Sequence, residues 1–165
     1  MGNQRFVLVA VNYFTKWAET EALANIRDVD VKKFVWKNII TRFGVRDSLI
    51  SDNGLQFDSL AFREFCSNLG IKNRYSSPAY SQSNGQAEAV NKVIVNGLKR
   101  RLEGAKGNWA EELSNVFWVY RITPRRCTGE THSLSRTGRR PLYQPRSICV
   151  VREFQNSTLP RMTVS

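Results

Sequence analysis

The run from Arg5 to Asn12 (RFVLVAVN) is the strongest constraint on the fold of this chain. It is apolar and rich in β-branched residues, with no helical period, and it predicts a strand covered on both faces. Residues 17–23 (WAETEAL) alternate and predict its hairpin partner. Residues 29–43 change period: Val31, Phe34, Val35, Ile39 and Phe43 form a helical stripe, and Gly44 is the stop signal. A short strand over 46–51 follows, then a helix over 60–69 with Leu60, Phe62, Phe65 and Leu69 inward, capped by Asp58 or Ser59 and ended by Gly70. Residues 71–75 predict another strand, and the turn-rich 76–85 a mobile loop. A long helix over about 86–103 and a second over about 109–122 complete the pattern, the latter stopping before Pro124. The order β-β-α-β-α-β-α-α predicts an α/β fold with a mixed sheet flanked by helices.

One domain of ordinary size accounts for 165 residues, with 41% hydrophobic residues to fill a core. The formal charge of +11 and pI near 10.1 point to an anionic partner, most simply nucleic acid, although a solvated basic surface gives the same numbers. The excess is uneven: residues 132–165 hold six Arg and one Glu. Cys66, Cys127 and Cys149 are scattered and His132 is the only histidine, which argues against structural zinc. No apolar run approaches the roughly 20 residues of a membrane span, and no secretory segment follows Met1. An intracellular, non-secreted protein without a membrane partner is the expectation.

The residues that suggest chemistry are Asp52, in Ser51-Asp52-Asn53-Gly54, and Glu88, in Asn84-Gly85-Gln86-Ala87-Glu88, with 35 residues between them. Asp52 is placed at a strand end, where α/β sheets bind ligands. Glu88 is placed in the first turn of the long helix, and Lys92 one turn on shares its face. Carboxylates meeting at a strand tip and a helix start can hold divalent metal, and a neighbouring lysine can hold a phosphate. Each residue also has a plainer reading: Asp52 as an Asx-turn residue, Glu88 as a partner of the helix dipole, Lys92 as a surface lysine.

From about Gln4 to Thr131 the chain resembles the catalytic core of integrases from gypsy-type LTR retrotransposons. The matching strings are FVLVAVNYFTKWAE, ITRFGV, ISDNGLQF, YSQSNGQAEAVNK and NWAEEL…VYRITPRRCTGET. The resemblance implies an RNase H-like fold, two Mg²⁺ or Mn²⁺ ions, and 3′-processing and strand transfer of element DNA by a polynucleotidyl transferase. It matches Asp52 and Glu88 to the second and third catalytic, metal-binding acids, Lys92 to a DNA-contacting lysine, and Asn84 to the loop that approaches the DNA end. It also implies homo-multimers and a nuclear location.

Four departures qualify the resemblance. The first catalytic acid belongs on a strand preceding residues 5–12, so the expectation is a core lacking its first strand, incomplete as a metal site and inactive. Asn12 stands where the family has Asp, at a position distinct from the triad, and Ser81 replaces a usual Pro. After Thr131 the similarity stops. Codons exist for Leu134–Pro145 that, read two bases later, spell LTYGAEAVIPA, the family continuation. The chain is thus expected to comprise a partial core over 4–131 and a disordered, out-of-frame, irregular C-terminal tail over 132–165.

Overall fold

The computed structural model describes residues 4–12, 17–51, 54–75, 92, 96, 97, 100, 109–123 and 148–155. Strands β1 (Phe6–Asn12) and β2 (Ala18–Leu23) form the predicted antiparallel hairpin, in register from Phe6↔Leu23 to Val11↔Ala18. The predicted helix over 29–43 is a continuous helical run with three parts: α1 (Asp28–Phe34), a π-helical segment Val35–Ile40, and α2 (Thr41–Phe43). Its start is held by Asp30, whose Oδ2 accepts the Arg27 backbone N–H at 3.1 Å. The π-helical segment contains Asn38, a buried polar residue that donates from Nδ2 to Glu21 Oε2 at 2.7 Å. Gly44 ends the run at φ +80°, a conformation that disfavours a side chain.

β3 (Ser48–Ser51), a short helix α3 (Leu55–Asp58), α4 (Leu60–Asn68) and β4 (Lys72–Tyr75) follow. Of the two candidate caps of α4 the structure uses Ser59, whose Oγ accepts the Phe62 N–H at 3.1 Å. β4 lies parallel to β3. α5 (Trp109–Ile122) occupies the predicted place of the last helix.

The C-terminal segment differs from the expectation. Ile148–Gln155 is a strand, β5, and it is central: the sheet order is β2-β1-β5-β3-β4. It runs antiparallel to β1, from Phe6↔Gln155 to Asn12↔Cys149, and parallel to β3, from Ser48↔Ile148 to Ser51↔Val151. A disordered tail over 132–165 is therefore corrected for these eight residues. The physical reason is a short apolar run that meets strand edges distant in sequence. The segment as a whole is Arg-, Ser- and Pro-biased, but Ile148-Cys149-Val150-Val151 is an apolar, strand-forming run. The ladder edges of β1 and β3 supply its partners. The rest of 132–165 lies outside the described residues.

The sheet separates two cores. On one face Leu8, Ala10 and Leu49 pack with Val31, Phe34, Val35, Ile39, Phe57, Phe62 and Cys66 from the helices. On the other, Val7, Val9, Val11 and Ala18 pack with Leu113, Val116 and Phe117 of α5. Alternation along β1 sends successive side chains to opposite cores.

Candidate functional site

Asp52, Asn84 and Glu88 lie outside the described residues. The structure does show how the segments carrying them leave the sheet. β3 ends at Ser51 and β4 at Tyr75, and these two residues are register partners in a parallel pair. Asp52 and the 76–91 segment thus depart from neighbouring strand ends, at the carboxyl edge where α/β sheets bind ligands. At the tip Ser51 is buried, and its Oγ has no hydrogen-bond partner among the described residues.

The rest of the ISDNGLQF string anchors that tip. Phe57 is fully buried and meets Phe62 edge-on at 5.9 Å, while Leu55 faces solvent. At Gly54 a Cβ would fall 2.5 Å from Gln56 Nε2, so glycine leaves room for the Gln56 side chain to fold back. A polar latch then joins the two strand exits. Tyr75 Oη donates to Asp58 Oδ1 at 2.6 Å, and Asn73 Nδ2 donates to the Phe57 carbonyl at 3.2 Å. Burial first, then the Asp58 carboxylate, pushes the Tyr75 phenol up to about 12, so it remains a donor at neutral pH. Sequence reasoning missed this latch, because Asp58 was weighed only as a helix cap.

Lys92 is helical and exposed. Asn96 and Arg100 are also helical and exposed, at the four-residue spacing that side chains sharing a helix face have. Arg100 was missed as a functional candidate; the spacing from Lys92 was the available signal. Gly97 holds this helix close to α5: a Cβ there would meet Val116 Cγ1 at 2.8 Å.

Other acids are committed elsewhere. Asp28 Oδ1 accepts the Val29 N–H at 2.8 Å, and Asp30 pairs with Arg27 at 3.0 Å. The Arg27 hydrogen bond holds the Asp30 carboxyl below its ordinary range. Buried Glu19 accepts from Trp17 Nε1 at 2.7 Å and from Arg42 and Arg121, each at 2.8 Å. Among the described residues no group of three or more His, Cys, Asp or Glu could hold a metal. On β5 the register partner of Ser51 is Val151, and Val150 and Arg152 flank it. None of the three is a ligand for a hard divalent cation.

Residues 1–81 match the family described as integrase core domain. An uncharacterized Caenorhabditis elegans protein is 34% identical over 125 residues, 74% of this chain and 10% of that protein. The Gag-Pol polyprotein of feline leukemia virus is 31% identical over 125 residues, 75% of this chain and 7% of the polyprotein. The chain thus spans about a tenth or less of the length of these relatives. Among solved structures, the catalytic core domain of BIV integrase aligns with TM-score 0.68 at 23% identity, covering 80% of this chain and 85% of that one. A chain of the simian T-cell lymphotropic virus intasome aligns with TM-score 0.74 at 17% identity, covering 86% of this chain and 51% of that one. At these identities the structural matches show a shared fold. Among the described residues no helix is long and apolar enough to cross a membrane.

Proposed function

This chain belongs to the integrase core domain family, with DNA integration as its function by ancestry, and from that premise we propose that it is a DNA-binding core that does not itself join DNA strands. The observation that carries the proposal is the strand order. The place between β1 and β3 is taken by β5, whose Val151 is the register partner of Ser51 at the tip of β3, so that Val150 and Arg152 flank that partner and Glu153, two residues on, is the one acid of the strand. Two-metal phosphoryl transfer places its ions about 3.5–4 Å apart and needs carboxylates to hold both. Asp52 and Glu88 are the two acids this sequence offers as catalytic and metal-binding residues for Mg²⁺ or Mn²⁺. Asp28 and Asp30 are held at the start of α1 and do not complete the set.

DNA binding rests on other residues. Lys92 and Arg100 present two cations on one helix face to phosphates, with Asn84 in the loop that approaches the DNA end. The partner in this reading is duplex DNA in the nucleus, and assembly into homo-multimers accompanies it.

The test uses the purified protein with labelled duplexes carrying the element ends. We expect salt-sensitive binding that K92E and R100E each weaken, lowering the salt slope by about one unit per lost phosphate contact. We expect no joined product with Mg²⁺ or Mn²⁺. Joined product that D52N abolishes would show a complete catalytic site and overturn the proposal.

A further inference from the structure

We infer that the groove between β1 and β3 is a strand-acceptor site, and that β5 occupies it as a tethered, displaceable ligand. This goes beyond DNA binding and does not depend on it. The sheet has two locally built halves, the β1–β2 hairpin and the parallel β3–β4 pair. β1 and β3 are not neighbours in the sheet; β5 lies between them. Leu8 and Ala10 of β1 and Leu49 of β3 belong to one core with Val31, Phe34, Phe57 and Phe62 of the helices, so a common helical layer lies against both walls of the groove. With β5 out, two backbone edges stand open side by side, the arrangement that captures an extended segment by strand addition.

β5 suits the role of a ligand. It is the last described element, and residues 124–147 separate it from α5 and its following residue Thr123. Its pairing with β1 closes a loop of nearly the whole chain, so it is ordered after the local hairpins. The groove recognises chemistry that the register defines: an extended segment antiparallel to β1 over seven pairs and parallel to β3 over four, with an apolar β-branched first half such as Ile148-Cys149-Val150-Val151.

The native Cys149 supplies the test. Its Cα partner on β1 is Asn12. In full-length protein with Cys66 and Cys127 changed to Ser, N12C should form a disulfide to Cys149 on mild oxidation, whereas V11C, whose partner is Val150, should not. The probe is a labelled peptide with the 148–155 sequence and Ser at 149, beside a scrambled control. It should bind the reduced N12C protein saturably and bind the oxidised, locked protein more weakly by on the order of tenfold. V151P, which removes a ladder N–H from β5, should bind it more tightly than the unaltered chain. If V151P does not fold, the comparison of reduced and locked N12C decides alone. Failure of the disulfide to form, equal peptide binding to locked and reduced protein, or no binding beyond the scrambled control would each overturn the inference.

Discussion

The two faces of the sheet are covered in opposite ways. On the face of Leu8 and Leu49, the covering elements α1 to α4 follow one another within residues 28–68 and interlock through Phe34, Phe57 and Phe62, each exposed by 1% or less. On the face of Val7 and Val9, the described cover is α5, which arrives from far along the chain and turns Trp118, Val119 and Ile122 toward solvent. The first cover is held by apolar interdigitation. The second adds a charged anchor: Arg121 stacks 4.5 Å from the Trp17 ring, donates to the Ala18 carbonyl at 2.9 Å, and pairs with Glu19. A cover built from consecutive elements should unfold with the sheet, and a single helix should release on its own.

The sharpest way to break that comparison is to empty each face in turn. F62A removes a ring in contact with Phe57 and Phe65 in a core with no route to collapse, and should cost about 4 kcal/mol. F117A removes a ring from a helix that can settle toward the sheet, and should cost about 2 kcal/mol. Hydrogen exchange separates the modes. F62A should speed exchange in β1, β3 and α4 together, and F117A chiefly in α5. Equal, global loss of protection in both variants would show one cooperative unit.

The charged anchor comes next. E19Q keeps the shape of the side chain but leaves Arg121 and Arg42 without their carboxylate. Both arginines reach solvent, with side chains 25% and 47% exposed, so the cost should be about 2 kcal/mol rather than the larger penalty of a sealed pair. Trp17 donates its Nε1–H to the same carboxylate, so its fluorescence should report the change. If α4 loses protection as readily as α5 in E19Q, the anchor is not specific to the second face.

The first face was legible in the sequence and the second only in part. The stripe from Val31 to Ile39, the alternation of β2 and the stops at Gly44 and Gly70 are local patterns, and local patterns carry period and caps. The split into a π-helical segment was not legible, since it is associated with a contact to Glu21, 17 residues before Asn38. β5 was missed for a related reason. Its apolar half is short and lies in an Arg-rich stretch, and its stability as a strand comes from β1 and β3, more than 95 residues earlier. Of the site, the sequence offers Asp52, Glu88, Asn84 and Lys92 through motif spacing. The Tyr75–Asp58 latch and the Gly97–Val116 approach depend on tertiary neighbours that no spacing encodes.

That close approach gives the subtlest test, because it couples the second face to the helical residues around Lys92 and Arg100. An alanine at an ordinary helix position is worth about 1 kcal/mol over glycine. At Gly97 the new methyl would sit 2.8 Å from Val116 Cγ1, and Val116 is buried and stiff at χ1. Overpacking of this kind costs about 1–3 kcal/mol, so G97A should be net destabilising by about 1 kcal/mol instead of stabilising. The strain falls between α5 and the helix carrying Lys92 and Arg100, so duplex binding should weaken although neither cation is touched. V116A in the G97A background should restore both stability and binding by removing the opposing methyls. A G97A protein that melts higher than the unaltered chain would mean that Val116 yields freely, and that the second face is looser than its burial implies.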